Sequence, residues 1–271
     1  MAAVSAPPCL IGLPYDASSS FKRGPAKAPP LIRAALHSDA GNSWTESGHD
    51  LAERGALYEA GDLALPPTGD ARDLITKGIA AVIASGQRPI ALGGDHSVTY
   101  PVLRAIAAAH GPVTILHIDA HPDLYESFAG DRFSHACPFA RIMEEGLAHR
   151  LVQVGIRTFN GTQRQQAARF GVEVIEMPAW VAGVRPGVLT GPVYCSIDLD
   201  GIDPAFAPGV SHREPGGLTV REVLTLVQSL PASLVGADVV EYNPDTDVDG
   251  ITAPVAAKLV KELAGRMHAD C

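Results

Sequence analysis

Short apolar runs bounded by glycine, proline or aspartate punctuate the chain. They are CLIGLP from residue 9, RPIALGGD from 88, VTILHIDAH from 113, LVQVGIR from 151, VEVIEM from 172, PVYCSIDLD from 192 and LVGADVVEYN from 234. Both faces of these runs are apolar and β-branched residues abound, so they read as buried strands. Between them the spacing turns helical. Over residues 71–85, Leu74, Ile75, Ile79, Val82 and Ile83 fall on one face. A helix at about 219–230 opens with Thr219 and Glu222 in capping-box spacing and carries a stripe of Val220, Val223, Leu224 and Val227. A last helix, from about residue 252, repeats the pattern with Val255, Leu259, Val260 and Leu263. Strand and helix in alternation predict an α/β fold with a parallel sheet covered on both faces, and ligands then belong at the carboxyl ends of the strands. Proline and glycine are dispersed between elements and no repeat or linker intervenes, so one domain is expected over residues 1–271.

Charge narrows the function classes. With 21 Lys and Arg against 30 Asp and Glu, the formal charge is -9, and no basic field exists to hold nucleic acid or an anionic membrane. A small cationic substrate suits this balance better. Cys9, Cys137, Cys195 and Cys271 are scattered without a CxxC pair, which argues against a disulfide framework and a thiolate zinc site. No apolar run approaches the roughly 18 residues of a membrane span. The start, MAAVSAPPCLIGLP, carries no basic region, the first basic residues being Lys22 and Arg23. No signal or transit segment is expected, and the expected location is the cytoplasm.

Three segments are too polar for the strand ends they occupy. In Gly93-Gly94-Asp95-His96-Ser97 the glycines allow a tight turn that presents His96, although alone a histidine after a strand is ordinarily a surface residue. In His117-Ile118-Asp119-Ala120-His121-Pro122-Asp123, a strand running through residue 121 would point Asp119 and His121 the same way, with Pro122 ending the ladder and Asp123 at the turn. In Ser196-Ile197-Asp198-Leu199-Asp200, the two aspartates again share a face. Carboxylates crowded at a dry strand end repel and desolvate one another unless a cation compensates. Two histidines and four aspartates offer too few soft ligands for structural zinc, and they have the hardness for a pair of Mn²⁺ ions bridged by carboxylates. Ligand type alone leaves Zn²⁺, Ni²⁺ and Co²⁺ open.

The motifs GGDHS, DAHPD, SIDLDGIDPAFAPG and DVVEYNP stand in the order of the ureohydrolase family, the arginases, agmatinases and their relatives. The likeness runs from GPAKAPPLIR at residues 24–33 to the final helix and is nearest to plant-type arginases, through SHACPFARIMEEG, VQVGIR, APGVSHREPGGLTVRE and DGITAPVAAKLVKEL. The resemblance implies a three-layer α/β/α fold around a mostly parallel sheet and a binuclear Mn²⁺ centre, two ions per subunit, holding a bridging hydroxide. It assigns His96, Asp119, Asp123 and Asp198 to one metal and Asp119, His121, Asp198 and Asp200 to the other. It also assigns His135, in Phe133-Ser134-His135-Ala136, to proton shuttling and product release, and Glu241 to the substrate guanidinium. A trimer or hexamer is expected on the same ground.

The reaction so implied is hydrolysis of a guanidino group to urea and an amine, with Asp123 passing a proton to the departing nitrogen. The tail of the substrate is harder to read. The loop LYESFAGDRFSHACPF lacks the Asn-rich, Gly-rich stretch of animal arginases, which leaves arginine and agmatine both open, with guanidinobutyrate and formiminoglutamate behind them. In the loop Gly209 to Glu214, Arg213 is a candidate for a substrate carboxylate beside His212. The rivals from other classes are a two-metal phosphatase or deacetylase, which a carboxylate at Glu241 disfavours, and a non-catalytic metal-binding protein.

Overall fold

Side chains alternate across a strand, and here the alternation feeds two separate cores. The structure, a computed structural model, describes residues 6–268; Cys271 and the first five residues of the amino-terminal reading lie outside them. In β1 (Pro8–Gly12), Cys9 and Ile11 enter one core and Leu10 the other. The remaining strands are β2 (Tyr58–Asp62), β3 (Arg88–Leu92), β4 (Val113–Ile118), β5 (Ala148–Ile156), β6 (Glu173–Glu176), β7 (Val193–Asp198) and β8 (Leu234–Val240). All pair in parallel in one eight-stranded sheet, in the order β2-β1-β3-β8-β7-β4-β5-β6.

Helices cover both faces, as strands apolar on both sides require. Helices α1 (Ala28–Leu36), α6 (Met177–Val181), α7 (Val220–Gln228) and α8 (Thr252–His268) pack on one core. On the other lie α2 (Arg72–Ala84), α3 (Thr99–His110), α4 (Pro138–Glu144) and α5 (Gly161–Phe170). The capping box at α7 is formed in full: Thr219 Oγ1 accepts from Glu222 N, and the Glu222 carboxylate accepts from Thr219 N at 2.8 Å.

Three expectations are corrected. In α2, Ile75, Ile79 and Val82 are buried, but Leu74 is 47% exposed and lies off the packed face. Strand β2, YEAGD, was not foreseen, because an edge strand with exposed polar side chains carries no apolar alternation. Its charged groups Glu59 and Asp62 pair with Arg33 of α1, which blunts the free edge. Third, β4 stops at Ile118 and β7 at Asp198, so His121 and Asp200 stand beyond their strands and not on them.

Candidate metal centre

Four neighbouring strands, β3, β8, β7 and β4, deliver their carboxyl ends to one place. After β3 the chain passes through Gly93 and Gly94 into a turn of 3-10 helix at His96–Val98. Neither glycine has a positive φ; what matters is space. A Cβ on Gly94 would lie 1.7 Å from the carbonyl oxygen of Tyr15. The turn brings His96, fully buried, under the ends of β4 and β7.

His96 Nδ1 lies 3.2 Å from Asp119 Oδ2, 3.1 Å from Asp123 Oδ2 and 3.1 Å from Asp198 Oδ2. Its other nitrogen fixes what Nδ1 can be. The Asp238 carboxylate can only accept, so Ser196 Oγ donates to it at 2.6 Å and then accepts from His96 Nε2 at 3.0 Å. The proton of the neutral ring therefore sits on Nε2. In that neutral form Nδ1 is a buried lone pair with no hydrogen-bond partner among the described residues, aimed at three carboxylate oxygens, a place that either a proton or a cation must fill. A lone pair and three carboxylates facing one another repel in the absence of a cation and ligate in its presence.

A second group adjoins the first. His121 Nδ1 stands 3.1 Å from Asp200 Oδ2 and 3.4 Å from Asp119 Oδ1. Donor atoms of Asp119, His121 and Asp200 all fall within 4.8 Å of one another, as do those of His96, His117 and Asp119. His117 is held differently from the others. Gln153 Nε2 donates to its Nδ1 at 3.0 Å, so Nε2 carries the proton and donates to Asp119 Oδ2 at 2.8 Å. Its ring stacks on Phe139. His117 thus orients the aspartate that faces both groups.

Electrostatics report the same crowding. Burial, then the charges of Asp200 and Asp119, push Asp198 well above the usual carboxylate range. Burial and Asp119 push Asp200 up to about 6. Burial would lower His96 and His121, but the surrounding carboxylates outweigh it and hold both well above an ordinary imidazole. Divalent cations at the two groups would neutralise this set without protons.

Glu241 follows β8 with φ 63°, and Asp123 has φ 48°, both in the left-handed region that side chains rarely adopt. Glu241 N donates to Gly94 O, and its Oε1 accepts from His96 N at 2.9 Å and from His135 Nδ1 at 3.2 Å. Burial would raise Glu241, but His135 holds it below its ordinary value. His135 in turn is lifted to about 9, because Glu241 outweighs its burial, and its Nε2 meets Ser20 Oγ at 2.8 Å.

A cavity of about 220 Å³ opens beside these groups, lined by His121, Asp123, His135, Asp198, Asp200 and Glu241 among others. Arg213 is not brought to it: it is exposed and donates to Pro208 O at 2.7 Å and to Thr246 O, because the loop turns its side chain away. His212 lines the cavity in its stead. Arg157 was also missed by the sequence reading. It donates to the carbonyls of Asp200 at 2.7 Å and Glu214 at 2.9 Å, pinning the turn that carries Asp200.

Residues 6–265 match a profile described as the Arginase family. Arginase 1, mitochondrial, of Arabidopsis thaliana is 48% identical over 95% of this chain and 80% of its own length. Agmatinase, mitochondrial, of Gallus gallus is 35% identical over 94% of this chain and 79% of its own. The solved arginase from Medicago truncatula superposes with a TM-score of 0.90 at 45% identity, covering 97% of this chain and 88% of that one. These names correct the expected cytoplasmic location. The arginases of Arabidopsis thaliana, Oryza sativa and Medicago truncatula that the chain resembles are named mitochondrial, pointing to an organelle. Scattered thiols report at most a reducing compartment and do not distinguish one such compartment from another.

Proposed function

We infer the reaction from one premise: this chain belongs to the arginase family, and it is a metal-dependent hydrolase of a guanidino C–N bond. Its substrate is arginine, split by water to urea and ornithine. The observation that carries the metal-dependent reaction is the orphaned Nδ1 of His96 among three carboxylates. Arginine is preferred to agmatine because arginases match at 46–48% identity and an agmatinase at 35%. Two Mn²⁺ ions are proposed, one held by His96, Asp119, Asp123 and Asp198 and the other by Asp119, His121, Asp198 and Asp200, with hard oxygen donors in the majority. The homo-oligomer, trimer or hexamer, is proposed on family resemblance alone.

What a bound pair of cations supplies is a water whose pKa is brought towards neutrality. The chain supplies the rest. The anionic carboxylate of Glu241 accepts the guanidinium N–H groups and fixes the plane of a resonance-stabilised, poorly electrophilic carbon. Asp123 would carry a proton from the attacking water to the nitrogen whose C–N bond breaks as the new C–O bond forms. His135, bonded to Glu241 on one side and to Ser20 on the other, returns a proton from solvent to the departing amine.

Urea release from the Mn²⁺-loaded protein, with arginine and agmatine compared in parallel, tests this reading. Arginine should give the higher kcat/KM, and Asp123→Asn should abolish release from both. Urea from agmatine alone would remove the substrate assignment and leave the family standing.

A further inference from the structure

The cavity-lining residues that hold no cation have to read the end of the substrate opposite the guanidinium, and the hydrogen bonds already made decide which of these side chains are free to do so. Ser20 is engaged with His135, and Thr158 donates to Ala120 O at 3.1 Å. Gln163, only 3% exposed, sits in the first turn of α5 and lines the cavity. Its Oε1 accepts from Leu124 N at 3.4 Å, and its Nε2 has no acceptor among the described residues. His212 lies flat on His135, with centroids 5.2 Å apart and planes at 25°, and edge-on to His121 at 5.9 Å. Neither of its ring nitrogens makes a hydrogen bond among the described residues. Among the described residues lining the cavity there is no lysine or arginine.

We propose that the Gln163 amide and the His212 imidazole together hold the α-carboxylate of arginine, and are the residues through which this chain prefers arginine to agmatine. The proposal rests on arginine being the substrate. The Gln163 amide N–H has no acceptor among the described residues, and a carboxylate oxygen supplies one, whereas the ammonium end of agmatine brings another donor to the same place. The imidazole supplies a second N–H. It is fixed in direction by its stack on His135, so the donor costs little ordering when the substrate enters. The same stack ties tail recognition to the histidine that touches Glu241. Arg213, the cation expected from the sequence to serve a carboxylate, is committed to backbone carbonyls outside the cavity.

The test compares His212→Phe, which keeps the stacked ring and loses the N–H, with Gln163→Leu, each assayed on arginine and on agmatine. Loss of a hydrogen bond to a charged group is worth roughly tenfold. Each variant should lower the ratio of kcat/KM for arginine over agmatine by about that factor, chiefly through KM for arginine. His212→Asn, which retains an N–H, should keep more of the preference. Binding of the products to the metal-loaded protein by calorimetry gives a readout without turnover: ornithine weakened about tenfold, putrescine within about twofold. Equal changes for both substrates and both products, or no change, would overturn the proposal while leaving arginine hydrolysis intact. Wild-type protein that releases no urea from arginine would instead remove the substrate reading, and the ornithine-to-putrescine comparison would still decide whether these two residues hold a carboxylate.

Discussion

Gly94 and Gly201 lie where the metal centre leaves no room for a methyl group. A Cβ at Gly94 would meet Tyr15 O at 1.7 Å, and one at Gly201 would meet Asp119 N at 2.8 Å. Both neighbours are backbone and cannot swing aside. Gly94→Ala is therefore expected to cost about 1–3 kcal/mol in chemical denaturation and to displace His96, so that bound metal falls with stability. An unchanged midpoint with full metal content would show that the β3 turn relaxes freely. His135 gives a pH prediction. Its folded value of about 9 lies above the unfolded value of about 6.5, so its pairing with Glu241 stabilises fully below about pH 6.5. That contribution, on the order of 3 kcal/mol, is lost as pH rises through about 9. In metal-stripped protein, wild type should lose stability from pH 6.5 to 9.5 relative to His135→Asn, and parallel curves would contradict the pairing. At this scale the sequence made His96, Asp119, Asp123, Asp198 and Asp200 visible through their motifs. It hid His117, Gln153, Ser196 and Asp238, which orient those candidate ligands. Each is a polar residue inside an otherwise apolar buried run, and that interruption is the signal by which they are found.

Strand ends explain why the motifs converge. Alternation along an extended strand was the expected reason for Asp119 to face His121 and for Asp198 to face Asp200. In the structure each leading aspartate folds its own chain: Asp119 Oδ1 accepts from His121 N at 2.6 Å, and Asp198 Oδ1 accepts from Asp200 N at 2.8 Å. These local turns end the ladder and double the chain back on the ligand site. The convergence was legible and its cause was not, since the same i, i+2 spacing serves a strand and an aspartate turn alike. Helix starts are more transparent, because a cap is a local contact. Thr219→Ala, which removes the acceptor for Glu222 N, should cost about 1 kcal/mol with metal content and urea release unchanged. A loss of activity larger than the loss of stability would mean that α7 does more than cover the sheet.

For the molecule as a whole, two cores on the faces of one parallel sheet leave the carboxyl ends of its central strands as the place where charge can gather. Much of that was legible, because the apolar runs of β1, β3, β4, β5, β7 and β8 are unbroken by proline-glycine pairs and long enough to name. The edge strand β2 was not, since nothing buries it on both faces. The proposed metal centre would also be a tether, joining residues 96, 119–123 and 198–200. Each cation present at about a thousand times its dissociation constant adds about 4 kcal/mol, so stripping the metals should lower the melting temperature by on the order of 10 °C. The most direct test of the account is a titration of metal-stripped protein with Mn²⁺, following urea release from arginine against bound metal per chain. No urea is expected without metal and a maximum at two ions per chain, whereas full release from the stripped protein, or a maximum reached with one ion, would rule out a two-metal centre.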